Sequence, residues 1–309
     1  MTTISAANNK PDRQVTGASA WDKFSNKITP YVLISPFFII FFIFQLMPIA
    51  FSGLLSLAEW NGMSAIKFVG LDNFTLMWQD AKFWNSFQVS LTITVVCTIL
   101  GTIFAVLLAV LLEKVDDRLA NLLRVVFFLP SVTSVVVISY IWKQLYSTDY
   151  GFYNTVLIKL GLPPQDWLSD PTWAMFALLV MLIWAGIGWD ALIITTGLRG
   201  IPDDLYDSGK VDGTNDWSAF RYITLPLLRP TLLFVLVTGV IFLWGIFAQP
   251  NLLTGGGPLR ATQSVAMYLY QQAFNYHKFG YASAIAVLLS VVMFISSWLN
   301  FRFIRYETD

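Results

Sequence analysis

Charge, cysteine and histidine are all scarce in this chain, and each scarcity removes a class of function. Only 12% of its 309 residues are charged while 56% are hydrophobic, whereas soluble globular domains carry about 25% charged residues. Cys97 is the one cysteine, so no disulfide framework forms within the chain and no thiol pair is present for redox chemistry. The single histidine, His277, has no cysteine or acidic cluster near it in sequence and reads as a surface residue, not a metal ligand. A phosphate-cradling Gly-x-x-x-x-Gly-Lys-Ser/Thr loop is missing too. Gly209-Lys210 is followed by Val211, and the glycine run at 255–257 has no lysine. Neither a Ser–His–Asp set nor a pair of facing carboxylates is present. The chain reads as non-catalytic, with no metal or cofactor of its own.

What it does have is apolar length. Crossing a hydrocarbon core takes about 20 residues, and six runs meet that requirement: 30–57, 87–112, 125–146, 172–198, 231–253 and 281–303. They are continuous and lack the ten-residue alternation of a β-barrel, which predicts membrane-spanning helices. The first run is too long for the h-region of a signal peptide and no small-residue cleavage site follows it. The expected fold class is therefore an all-α polytopic membrane protein with six transmembrane helices.

Lys and Arg set the expected orientation. With the N-terminus inside, the inner segments hold thirteen of them and the outer segments six, a bias that puts both termini in the cytoplasm. The expected organisation is a disordered cytoplasmic tail over 1–29, a first span at 30–57, an extracytoplasmic segment at 58–86, a five-span core over 87–303, and a C-tail over 304–309. In the segment Phe68-Val69-Gly70-Leu71-Asp72-Asn73-Phe74 an Asx residue is placed to cap a short surface helix holding Leu76, Met77 and Phe83. Trp60, Trp84, Trp142 and Trp173 fall near span ends, as an interfacial belt would.

Between the fourth and fifth spans lies a polar insert, 199–230, which this orientation puts in the cytoplasm. Pro202 suits the first turn of a helix, and Asp203 and Asp204 suit its positive end. Asp212-Gly213-Thr214-Asn215 makes a turn, a second helix starts at Asp216, and Pro226 and Pro230 end it. The spacing predicts a helix–turn–helix that presents Asp207, Ser208 and Gly209 outwards, either as a docking element or as an amphipathic loop that only stabilises the inner face.

The insert's spacing resembles the "EAA" loop of bacterial ABC importer permeases, which runs Glu-Ala-Ala, three residues, Gly, nine residues, then Ile-x-Leu-Pro. Here Asp207-Ser208-Gly209 replaces Glu-Ala-Ala, Gly213 is the glycine, and Ile223, Leu225 and Pro226 close the motif, with Asp212 beside the glycine. Phe128-Leu129-Pro130, Trp167-Leu168-Ser169-Asp170-Pro171 and Thr254-Gly255-Gly256-Gly257-Pro258 with Thr262 look like the carbohydrate branch of that family, and its maltose-transporter-like first permease subunit. The resemblance implies a type I ABC importer permease of the bacterial cytoplasmic membrane. By the same resemblance it would pair with a homologous second permease, two ATPase subunits that carry ATP and Mg, and an extracytoplasmic solute-binding protein.

A solute path is the remaining expectation. Asp190 is the one charge deep within a span, and helical spacing places Leu182, Gly186, Trp189, Asp190 and Ile193 on one broad face. That face would serve either a sugar or helix–helix packing. Carried over from the maltose-type permeases, substrate contacts fall at Ser131 and Val135, at Leu182, Ala185, Gly186 and Trp189, and at Leu243 and Ile246. Trp244 and Gln249 are local additions. The rival function is an ion- or proton-coupled secondary transporter, which predicts internal repeats and several intramembrane ionisable groups.

Overall fold

The computed structural model describes residues 20–303. Residues 1–19 of the expected N-tail, and the C-tail 304–309, lie outside the described residues. The chain divides into two units, Met1–Phe51 and Ser52–Asp309.

The described part of the first unit is one long helical run. Helix α1 (Ala20–Phe41) passes through a five-residue π turn at Phe42–Leu46 into α2 (Met47–Leu55), which crosses the boundary between the units. The helix begins ten residues before the expected start of the first span at 30, because no proline or glycine interrupts 20–29. Pro36 sits inside α1 without breaking it. Its missing N–H would have bonded the carbonyl of Val32, and the Ser35 hydroxyl donates to that carbonyl instead, at 2.8 Å.

The second unit opens with a two-stranded antiparallel ribbon, β1 (Ala58–Glu59) against β2 (Lys67–Phe68), with Ala58 opposite Phe68. Helix α3 (Asp72–Gln79) follows, then α4 (Ala81–Lys114), the longest helix described. Here the structure corrects the sequence reading. No side chain caps α3, and Asn73 turns inward to donate to the carbonyls of Ser56 and Ala58, both at 2.9 Å. Phe83 belongs to α4, because Asp80 ends one helix and caps the next through the Lys82 amide at 2.9 Å.

After α4 come α5 (Asp117–Val132), α6 (Val135–Leu145), α7 (Phe152–Lys159) and α8 (Pro171–Arg199). The expected third span, 125–146, is two helices meeting at 110°. Asp170 caps α8 by accepting from the amides of Thr172 and Trp173, with Pro171 as its first residue. Beyond α8 lie the insert helices α9 (Asp203–Val211), α10 (Asp216–Ala219) and α11 (Leu225–Leu227), then α12 (Arg229–Trp244), α13 (Ala248–Thr254), α14 (Val265–Tyr270) and α15 (Phe279–Phe303). The expected fifth span, 231–253, stops at Trp244, where Gly245 follows and α13 starts a new direction. Among the described residues, four unbroken helices are long and apolar enough to cross a membrane. Two bent pairs, α5 with α6 and α10–α11 with α12, bring the total to six if each pair is one span.

Helices α4 and α8 pack along each other, with α5 and α12 against them and α15 against α12. Small residues line the close contacts, among them Ala105, Ala109, Ala177, Gly188 and Ala191. This is how helices associate in lipid, where apolar area alone gives no drive toward a partner. Trp142 is buried against Tyr146, Tyr153 and Trp184 and is therefore not part of an interfacial belt. Its ring joins the cluster that also buries Trp167, whose indole N–H donates to Asn154. At the far end of α4, Asp80 accepts hydroxyl hydrogen bonds from Tyr268 and from Tyr281 (2.7 Å), tying α14 and α15 to the start of α4. Burial alone would raise the Asp80 carboxyl, but the two tyrosine hydroxyls and the amides of Lys82 and Phe83 outweigh it and hold its pKa below the ordinary value.

Candidate solute path and coupling loop

A cavity of about 470 Å³ opens between α4, α5, α6, α8 and α12. It is centred on the break between α5 and α6. Pro130 removes one backbone donor near the end of α5, and Thr133 then leaves the helical conformation. At the helix end Thr133 turns its amide to Pro130 O, and hydroxyls bond the carbonyls of the last turn. Ser131 donates to Phe128 O at 2.7 Å and Thr133 to Leu129 O at 2.6 Å. Irregular backbone at membrane depth is tolerated where it lines a cavity, as Pro130, Ser131, Thr133 and Val135 do here.

Of the residues singled out as a substrate path, Ser131, Val135, Leu182, Ala185, Gly186, Trp189, Asp190, Leu243 and Gln249 line this cavity. Trp244 and Ile246 do not; each is 2% exposed, Trp244 against the Phe87 ring and Ile246 in the apolar cluster around Leu178. Two glycines of α8 differ in what they face. A Cβ added at Gly186 would meet nothing within 4 Å, whereas one at Gly188 would stand 1.8 Å from the Phe127 carbonyl oxygen. Gly188 is the helix-packing glycine, against α5, and Gly186 faces open space. Asp190 makes no hydrogen bond or ion pair with any described residue, so it is not paired across the bundle.

The cavity also uses residues the sequence reading did not select: Cys97 and Gly101 on α4, Thr133, and Thr238, Gly239 and Phe242 on α12. A small polar pair, Thr238-Gly239, inside an otherwise apolar run was the available signal for α12. Nothing in the sequence marked Cys97.

The insert forms a compact helical unit, but two expectations about it change. Gly209 is buried, not presented outwards. A Cβ there would come 2.9 Å from Thr214 Oγ1 and 3.0 Å from Ile223 Cδ1, so its smallness serves packing between the two arms of the loop. Pro226 also does not end the second helix, which runs from Asp216 through a π turn to Leu227 and bends by 65° before α12. A proline in the first turn of a helical segment lacks only a donor that the π turn has already displaced.

Asp207 and Ser208 are exposed, as are Asp212 and Gly213, the last with φ +80°. Asn215 caps the second helix through the Ser218 amide at 2.8 Å. Tyr206 and Thr224 share a hydroxyl hydrogen bond of 2.9 Å across the loop. Leu225 is exposed, and Ile223 and Pro226 are half-buried. Two ion pairs tie the unit and the end of α8 to α4: Lys114 with Asp216 at 2.6 Å and Arg199 with Glu113 at 3.0 Å. Lys114 holds the Asp216 carboxyl below its usual pKa, and Asp207 raises that of Lys210, 2.9 Å away.

A polytopic helical bundle with a broken-helix cavity and a projecting helical loop is the class of a membrane transport subunit. The model of the family described as "Binding-protein-dependent transport system inner membrane component" matches residues 101–305. The chain belongs to that family. It is 30% identical to the lactose transport system permease protein LacF of Rhizobium radiobacter, over 89% of this chain and 93% of that one. It is also 30% identical to the trehalose/maltose transport system permease protein MalF of Thermococcus litoralis, over 90% and 94%. Among solved structures, a chain of a bacterial ABC transporter involved in import of the acidic polysaccharide alginate superposes with a TM-score of 0.82 at 23% identity, covering 94% of this chain and 99% of that one. The chain is a multi-pass inner-membrane permease of the ABC importer type, which sets aside the ion-coupled secondary transporter.

Proposed function

We propose that this chain is the permease subunit through which an ATP-driven importer moves a sugar or related polyol. The observation that carries the reading is the cavity at the α5–α6 break. It gathers nine of the eleven path residues, from five helices, around one space. The relatives named for lactose and for trehalose/maltose support a saccharide as the solute.

In this reading both termini face the cytoplasm, in keeping with the Lys and Arg bias. A binding protein delivers solute to the opposite face, and a homologous permease closes the other side of the path. Two ATPase subunits supply ATP and Mg, and one of them docks on the exposed surface of the insert around Asp207, Ser208 and Gly213. Gly209 packed against Ile223, with the Tyr206–Thr224 hydroxyl bond, holds the two arms of the insert together, and Leu225 and Pro226 carry the second arm on toward α12, so a displacement at its surface would move both. ATP-driven closure then biases the bundle between two global states with different solute access.

Reconstitution of the permease pair with its ATPases and binding protein tests this. Saccharide uptake should require ATP, and Asp207→Arg or Gly213→Pro should leave ATP hydrolysis running without uptake. Uptake by this chain alone under a proton or sodium gradient, or normal uptake in both variants, would overturn the reading.

A further inference from the structure

The cavity is charged and bonded in a one-sided way. Asp190 is the only Asp, Glu, Lys, Arg or His in its lining. Its carboxylate has no described partner, so it depends on water or solute for hydrogen bonds. The neutral polar residues of the wall point the same way. Ser131, Thr133 and Thr238 each spend the hydroxyl proton on a backbone carbonyl one turn back, those of Phe128, Leu129 and Phe234. What they offer the cavity is oxygen lone pairs. Among the polar lining side chains, Gln249 and Trp189 carry donors that no described residue takes. A wall weighted to acceptors and bearing one negative charge suits a neutral solute that donates.

We infer that this lining selects solutes by hydrogen-bond polarity and charge: it accepts neutral, hydroxyl-donating saccharides and excludes anionic ones, with Asp190 as the specificity-determining residue. A uronate or sulfonate brings acceptors to acceptors and a negative charge to a negative wall, with no cation present to offset either. A neutral sugar ring, whose hydroxyls each donate once, satisfies Asp190 and the three hydroxyl oxygens together. The inference rests on the reading of this cavity as the solute path.

Cys97 lines the same cavity and is the chain's single cysteine, so the protein carries its own probe. In the assembled transporter, Cys97 is modified with a trimethylammonium-bearing and a sulfonate-bearing methanethiosulfonate reagent. Each rate is divided by that with free 2-mercaptoethanol and read by mass spectrometry of the Cys97 peptide. Any effect on thiol ionisation cancels in the ratio. The cationic reagent should be favoured by about tenfold at low salt. Asp190→Asn should bring the ratio within about twofold of unity, and Asp190→Glu should keep it.

Equal normalised rates in the native protein, a preference that survives Asp190→Asn, or no modification of Cys97 by either reagent would overturn the inference. ATP-dependent uptake of lactose, maltose or trehalose in the same preparation separates it from the sugar reading. A flat ratio with uptake intact removes charge selection alone. A ratio that collapses in Asp190→Asn while no saccharide is transported removes the sugar reading and leaves the charged wall.

Discussion

Gly188 and Gly186 lie two residues apart on α8, and replacing each with alanine should give opposite results. In a helix interior Gly→Ala normally stabilises by about 1 kcal/mol through backbone entropy. At Gly186 nothing lies within 4 Å of the added carbon, so that gain should appear in full. At Gly188 the new Cβ would fall 1.8 Å from the Phe127 carbonyl oxygen. That is about 1.5 Å short of an ordinary contact, and the obstacle is backbone and cannot rotate away. Helices α5 and α8 would have to separate along a face that also seats Ala191 and Ile187.

Overpacking of this kind costs about 1–3 kcal/mol, and rigid backbone puts the site at the upper end of that range. The net separation between the two variants is then about 3–4 kcal/mol. Thermal unfolding of the purified transporter in detergent, followed by loss of the monodisperse peak in size-exclusion chromatography, should show Gly188→Ala melting well below the native protein and Gly186→Ala at or above it. Two variants that melt together would refute the assignment of Gly188 to the helix contact and Gly186 to the cavity.

Other expectations concern the insert and the start of α4. Gly209→Val should loosen the insert by crowding Thr214 and Ile223, abolishing uptake while membrane insertion, read by protease protection of the other loops, stays normal. Asp80→Asn should lower thermal stability, since Tyr268 and Tyr281 lose a carboxylate acceptor. Because the folded pKa of Asp80 lies below its unfolded value of about 3.9, its contribution is complete above that pH and is lost only as pH falls through the folded value. Native and Asp80→Asn proteins should therefore differ by a constant amount between pH 5 and 8 and converge only in stronger acid; a difference that changes near neutrality would contradict this. Lys114→Ala should leave the melting temperature within error, because the Lys114–Asp216 pair is solvent-exposed.

The apolar runs, the polar insert between them and the turn that starts its second helix at Asn215–Asp216 were legible in the sequence, because hydropathy and capping are local properties. Nine of the eleven residues expected on the path line one cavity, an expectation that came from the family resemblance and from the Gly186–Asp190 stripe. Direction was not legible. Nothing in the composition of 125–146 distinguishes a straight span from two helices at 110°, since the break depends on Ser131 and Thr133 hydroxyls satisfying carbonyls that lipid could not. Asn73 looked like a cap because capping residues and residues that reach into a neighbouring turn share the same chemistry. Small residues were equally ambiguous. Gly186, Gly188 and Gly209 read alike in sequence, and only the backbone or side chain opposite each one tells a cavity wall from a helix contact or a loop brace.

The bend at Leu228 has a mechanical consequence. Its amide bonds Thr224 O and its carbonyl takes the Leu232 amide, both at 2.9 Å, and its side chain is fully buried. The two arms meet at 65° with the backbone bonded on both sides of the bend, and turned as one body they would act as a bell crank. At 1.5 Å per residue, the sixteen residues of α12 span about 24 Å, so a rotation of only about 10° at the elbow carries its Trp244 end through about 4 Å. Under the proposed function, a small angular displacement of the insert would be converted into a stroke comparable to the diameter of a sugar ring, delivered where Phe242 and Leu243 meet the cavity.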